Sequence, residues 1–184
     1  QKTITPSYMQ EPSALETRYL IEQLDLLETQ LKDIEKRIEE KYAQFDQHIA
    51  TIPGIGSISA AVIQSEIGNI EDFNSPEQIV AYAGLDPTVR QSGEYTSTKH
   101  KISKRGSPIL RHALYMAATT AWFHNPVCQQ IYERKKKEKL HHKSAICVVA
   151  RKLTHIIYSV MKNKKPFQTP NHILLKRNQE NIPL

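Results

Sequence analysis

One stretch of this 184-residue chain concentrates groups that can act on an anion. In VRQSGEYTSTKHKISKRGSPILRHAL, residues 89–114, the step Ser92-Gly93 is followed by seven lysine, arginine or histidine side chains. Arg90, Lys99, Lys101, Lys104, Arg105 and Arg111 fall within 22 positions of one another. A serine hydroxyl can attack a phosphodiester when the phosphate is held in line and its developing charge is neutralised, and clustered guanidinium and ammonium groups supply that neutralisation. Ser107-Pro108 signals a helix start, so an N-terminus with unpaired N–H donors is expected to point back at the cluster. Residue chemistry alone leaves two readings of Ser92 open, a solvated turn residue and a nucleophile.

A second anion-binding candidate is IPGIGSISAAVI, residues 52–63. Pro53 stops one helix, Gly54 and Gly56 permit a tight turn, and Ser57 is placed to cap the next helix, which runs toward Ile67. The pattern resembles a helix-hairpin-helix DNA-binding motif, whose backbone N–H groups meet phosphate and whose apolar side here would be Ile52, Ile55, Ile58 and Ala61. The same turn also serves as a plain connection between packed helices.

Other chemistries find no support. The basic half carries only Glu94, Glu133, Glu138 and Glu180, scattered, so a complete metal-dependent nuclease site is not expected. His141 and His142 are adjacent and diverge on a helix, so no metal site is assigned. No G-x-S-x-G elbow follows a buried strand. Cys128 and Cys147 lack a C-x-x-C spacing and read as buried thiols of a reducing compartment.

The net charge is +6, unevenly spread. Residues 1–87 hold 6 Lys/Arg against 15 Asp/Glu, and residues 88–184 hold 19 against 4. A basic half of this kind meets a polyanion, and nucleic acid is the first candidate. No run approaches the 18 or so uninterrupted apolar residues of a membrane span, and no basic-then-apolar signal pattern opens the chain, so the expectation is a cytoplasmic protein without a membrane partner. A start at Gln1 rather than methionine is expected of a piece of a longer protein.

These residues need elements to position them. SALE, with Ser13 and Glu16, is a capping box, and Leu20, Leu24, Leu27, Leu31, Ile34 and Ile38 then step by four and three, with Phe45 resuming the register. Such a seam predicts a coiled coil that joins protomers into a homo-oligomer, or a long helix lying on its own domain. Ser75, Pro76 and Gln78 open a short helix that Gly84 stops. Residues 88–103 read as a β-hairpin turning at 93–97. Further helices are expected from Ser107-Pro108 to Asn125-Pro126 with the face Leu110, Leu114, Ala117, Ala118 and Ala121, from Pro126 to about 138, and from His142 to about 162. The fold class is therefore mostly α, a long coiled-coil helix followed by a small helical domain with one β-hairpin insertion. The divisions are 1–50 for the coiled coil, 51–165 for the helical domain and 166–184 for a flexible tail.

Four motifs in order, IPGIG, PEQIVAYAGL, AGLDPTVRQSG and ISKRGSPILRHALYMAA, resemble the C-terminal transposase domain of the insertion-sequence 110/116/902 family, well over residues 50–125 and loosely to about 165. The resemblance implies that Ser92 is the nucleophile joined covalently to DNA during transposition, beside the turn glycine Gly93. It implies that Lys104, Gly106 and Arg111 stand for the family's K-x-G…R segment lining the site. It further implies a coiled coil before the domain, a bridge RNA as guide, and an N-terminal RuvC-like domain, absent here, whose acidic residues bind magnesium; no cofactor is expected in this chain itself. The alternative reading is a non-catalytic module that binds nucleic acid through its helix-hairpin-helix and dimerises, and a weaker one is an oligomerisation scaffold.

Overall fold

The computed structural model describes residues 7–45, 47–88, 91–92, 95–96 and 101–171, with backbone alone for 7–13, 47 and the four hairpin residues. Arg90, Gly93 and Lys99 lie outside the described residues. The architecture is mostly helical: α1 (Ser7–Tyr42), α2 (Ser57–Ile67), α3 (Pro76–Tyr82), the short strands β1 (Gln91–Ser92) and β2 (Tyr95–Thr96), then α4 (Pro108–His124), α5 (Pro126–Lys137) and α6 (His142–Asn163). Two units result, Gln1–Lys41 and Tyr42–Leu184.

The first unit is a single helix of charged and apolar residues. α1 begins at Ser7, so the capping box at Ser13 does not start it; a cap preference on the order of 1 kcal/mol is a local signal that a longer helix can override. Ion pairs at i,i+4 line it, Arg18 to Glu22 at 3.1 Å and Arg37 to Asp33 at 3.0 Å. Being exposed, each contributes only about 0.3–0.5 kcal/mol. Leu20, Leu24, Leu27, Leu31 and Ile34 are all between 54% and 60% exposed in a single copy. The helix ends at Tyr42, so Phe45 lies beyond it and does not extend the seam.

The second unit starts with Tyr42 and takes in Ile49 and Ile52, which the division at 50 had split. A 3-10 turn, Gln47–Thr51, rather than an α-helix precedes the glycine hairpin. Gly56, not Ser57, is the N-cap of α2, with Ser57 the first helical residue. Ala60, Ile63 and Ile67 form the fully buried face of α2, while Ile58 and Ala61 are half-buried. The buried face differs from the expected one because the polar residues Ser57, Ser59, Gln64, Ser65 and Glu66 are spread around α2 and leave no single polar face to mark its orientation.

The hub is α4. Ser107 caps it, accepting from the Leu110 N–H at 3.0 Å, and Pro108 occupies the first helical position, where its missing N–H costs nothing. Leu110, Leu114, Ala117, Ala118 and Ala121 are buried, as their spacing predicts. The alanines let other backbone approach closely: a Cβ at Gly54 would sit 2.4 Å from the Ala121 Cα. With φ at +94°, Gly54 is doubly confined to glycine. Asn125 is buried at the corner, its N–H bonded to the Ala121 carbonyl and its Oδ1 accepting from the Val127 N–H at 3.0 Å, so one residue ends α4 and starts α5.

Packed on α4, α6 buries Ile146, Val149, Ala150, Leu153 and Ile157. By length and composition alone α6 is apolar enough to cross a membrane, and its apolar side is the core of this unit. The segment read as a loose tail is held at its start, where the Phe167 N–H donates to Thr51 Oγ1 at 2.8 Å and the ring packs on the core.

The two hairpin glycines should separate cleanly. Gly54→Ala places a methyl inside α4 backbone and is expected to lower stability by about 3 kcal/mol or more, read as a fall in the urea midpoint. Gly56→Ala meets open space and should cost under about 1 kcal/mol.

Candidate functional site

The candidate site grows out of the end of α3. That helix stops where the Ala83 N–H bonds the Ile79 carbonyl at 2.8 Å and Gly84 turns the chain into a left-handed conformation. Residues 84–88 then run antiparallel to 101–104. The Ser103 N–H reaches the Asp86 carbonyl at 2.8 Å, the Thr88 N–H reaches that of Lys101 at 2.7 Å, and Lys104 N–H reaches that of Gly84 at 3.0 Å. Pro87 and Ile102 form the bridge between them. Ser103 adds a side-chain lock, donating to Asp86 Oδ1 and accepting from the Arg105 N–H at 3.3 Å.

Two glycines close this ladder from opposite sides. A Cβ at Gly84 would lie 2.2 Å from the Arg105 carbonyl oxygen, and one at Gly106 would lie 2.1 Å from that of Tyr82. Backbone touches backbone at both places, and the Ser107 N–H donates to the same Tyr82 carbonyl at 2.8 Å. Gly106 also has φ at +92°, which side chains rarely adopt. Gly106, which the resemblance places in the K-x-G…R segment as a structural turn, closes one chain segment against another.

Beyond the ladder the chain forms the short hairpin, Gln91 opposite Thr96 and Ser92 opposite Tyr95. Ser92 thus has its backbone in a two-stranded ribbon whose base is fastened to α3 and α4. Lys101, Lys104 and Arg105 are exposed along the base, and no ion pair among the described residues engages them. Lys104 has a left-handed φ of 56° without being a glycine, and the Gly84 contact holds it there. Arg111 is half-buried and donates Nη1 to the Ala83 carbonyl at 3.1 Å, so part of its guanidinium completes the C-terminus of α3.

Sequence reasoning missed Glu66. Ser107 Oγ donates to Glu66 Oε2 at 2.6 Å, which brings a carboxylate from the last turn of α2 to the N-terminus of α4. The anion drawn to that helix end is the protein's own. The partners are 41 positions apart, beyond any local pattern.

The glycine hairpin stands elsewhere. Gly54 meets Ala121 near one end of α4, and Ser107 caps the other. Fourteen helical steps separate these positions by about 20 Å. Gly54, Gly56 and Ser57 therefore do not join Lys101, Lys104 and Arg105 in one pocket. A cleft of about 350 Å³ lies at the hairpin, lined by Gly54, Ile55, Gly56, Ser59, Met116, Ala117 and Thr120.

The thiols offer no nucleophile. Burial pushes Cys128 up to about 12, and burial also raises Cys147, so both stay protonated at neutral pH. His155 is held below its usual value by burial, with Glu77 at 4.0 Å opposing the shift. Among the described residues no three His, Cys, Asp or Glu side chains converge as a metal site would require. Glu66 and Asp86 are each bonded to a serine hydroxyl instead.

Residues 46–133 match the Transposase IS116/IS110/IS902 family, and the chain belongs to that family. It is 28% identical over 150 residues to the insertion element IS116 uncharacterized 44.8 kDa protein of Streptomyces clavuligerus, covering 80% of this chain and 37% of that one. It is 34% identical over 125 residues to the pilin gene-inverting protein of Moraxella bovis, 67% of this chain and 39% of that one. With the transposase for insertion sequence element IS1328 of Yersinia enterocolitica it shares 35% identity over 100 residues, 54% and 28% of the two chains. The chain thus spans about two-fifths of the length of the first two relatives.

Ser107→Ala removes both the cap of α4 and the partner of Glu66. A loss of about 1–2 kcal/mol is expected in denaturant unfolding, with Ser107→Thr recovering most of it.

Proposed function

We propose that this chain is the serine-bearing part of a DNA transposase or recombinase. Support comes from the family and from relatives named as transposases and as a gene-inverting protein. The observation that carries the reading is the ribbon holding Ser92 on a base of exposed Lys101, Lys104 and Arg105. In the reaction, Ser92 Oγ forms a bond to the phosphorus of a DNA phosphodiester. The bond from phosphorus to one deoxyribose oxygen breaks, the serine proton leaves to a base, and the departing oxygen takes up a proton. The product is a phosphoserine link that conserves the energy of the broken ester for rejoining. Lys101, Lys104, Arg105 and the free donors of Arg111 neutralise charge on the phosphate, with Arg90 and Lys99 joining them.

Magnesium chemistry does not fit the described residues, which offer no converging ligands. Any such metal belongs with acidic residues of a RuvC-like domain in the longer protein. A bridge RNA is the proposed guide, and the basic half is its docking surface as well as that of DNA. The alternative, binding without catalysis, has one specific support: the N-terminus of α2 at Gly56 opens on a cleft and could seat a phosphate.

Oligomerisation is assigned to α1. Its five-residue apolar seam is more than half exposed in one copy, and a two-stranded coiled coil would cover it.

In the longer protein, Ser92→Ala should abolish recombination, by at least about a thousandfold as for loss of a covalent nucleophile, and leave DNA binding within about twofold. Recombination at the parental rate would sink the assignment. Replacing Leu24 and Leu27 by aspartate should shift the 184-residue chain to monomer in sedimentation equilibrium while the helical content of the second unit persists.

A further inference from the structure

A second surface carries chemistry that the serine reading does not use. Trp122 and Tyr132 stack across α4 and α5, with ring centroids 4.4 Å apart and planes tilted by 33°. Phe123 packs edge-on against Trp122 at 5.8 Å and His124 stands edge-on to Phe123 at 5.2 Å. From the other end, the Tyr132 hydroxyl is bonded to His142 Nδ1 at 2.7 Å, tying the stack to the first residue of α6. Four of the five ring contacts among the described residues thus form one connected group.

The group is not sealed into the core. Phe123 is 67% exposed, His124 and His142 are exposed, and Trp122 and Tyr132 are half-buried. Next to it lies RKKKEKLHHK, residues 134–143, with six Lys or Arg and one carboxylate. Lys136 follows Tyr132 by one helical turn, at i+4, and is exposed. Lys137, Lys139 and Lys143 are exposed around the turn into α6, whereas Lys135 is taken by Glu138 at 2.6 Å. Rings whose planes are fixed by neighbours, beside uncompensated ammonium groups, suit a ligand with flat faces and a negative backbone.

We propose that this surface binds a single-stranded segment of nucleic acid, one unpaired base stacking on Phe123 and the adjoining phosphates meeting Lys136 and Lys137. A duplex offers the edges of its bases and keeps their faces stacked inside, so an exposed ring meets a base face without the cost of unstacking only where the base is unpaired. An acidic peptide would satisfy the lysines but leave the aromatic group without a flat partner. The inference rests on the nucleic-acid half of the proposed function and is independent of Ser92 as nucleophile.

Trp122 is the only tryptophan of the chain and lies within the group, so its emission reports the event directly. The 184-residue chain is titrated with oligothymidylate, oligouridylate and a mixed-sequence duplex, each of roughly 12 nucleotides or base pairs, and with polyglutamate. Quenching by either single strand supports the site, and the tighter of the two names the source as DNA or RNA. Phe123→Ala, at an exposed position, should weaken single-strand binding about tenfold and leave duplex binding unchanged. The pair Lys136→Gln and Lys137→Gln should reduce the slope of log affinity against log salt by about 1.4. Equal quenching by duplex or polyglutamate, or parental single-strand affinity in Phe123→Ala, would overturn the proposal. A Ser92→Ala chain retains the quenching, so loss of this site and loss of the serine assignment read out separately.

Discussion

The antiparallel contact between residues 82–88 and 101–107 is the constraint on which the candidate site depends. Its strength lies in backbone meeting backbone, with Gly84 against Arg105 and Gly106 against Tyr82, and with hydrogen bonds from Ser103, Lys104 and Ser107 filling the acceptors. A side chain at either glycine would pry the two segments apart. Because Tyr82 ends α3 and Ser107 starts α4, the contact also joins two helices of the core. The chain that leads to Ser92 therefore leaves the core from a fastened base.

Positive charge is distributed along this scaffold rather than pooled. Lys101, Lys104 and Arg105 stand at the start of α4, the glycine hairpin lies near its far end, and the run 134–143 lies past the corner at Asn125. A ligand touching both ends of α4 must span about 20 Å, which an extended polyanion can do and a small phosphate ester cannot. Glu66 interrupts the pattern at the α4 N-terminus, where it fills with a fixed carboxylate a position that would otherwise attract a mobile anion.

Much of the fold was legible because its boundaries are chemical. Ser75-Pro76, Ser107-Pro108 and Asn125-Pro126 each pair a capping side chain or turn with a proline that tolerates only the first helical turn, and the helices start there. The alanine face of α4 and the broad stripe of α6 followed from periodicity. What stayed hidden was tertiary. α2 scatters its polar residues around the helix, so its phase depends on what packs against it. Gly54 and Gly56 look alike in IPGIG, yet one abuts Ala121 and the other faces open space. The pairing of Ser107 with Glu66 has no local signature. For the candidate site, the commitment of Arg111 to the end of α3 became visible only once Ala83 was placed.

The ladder beneath the ribbon has a further consequence. Since hydrogen bonds from Thr88, Ser103 and Lys104 already close the excursion at its base, the entropy of bringing the two ends together is borne there and varies only slowly with the length of chain beyond. A scaffold of this kind keeps the folding of its helices nearly independent of the length of chain that the ladder closes.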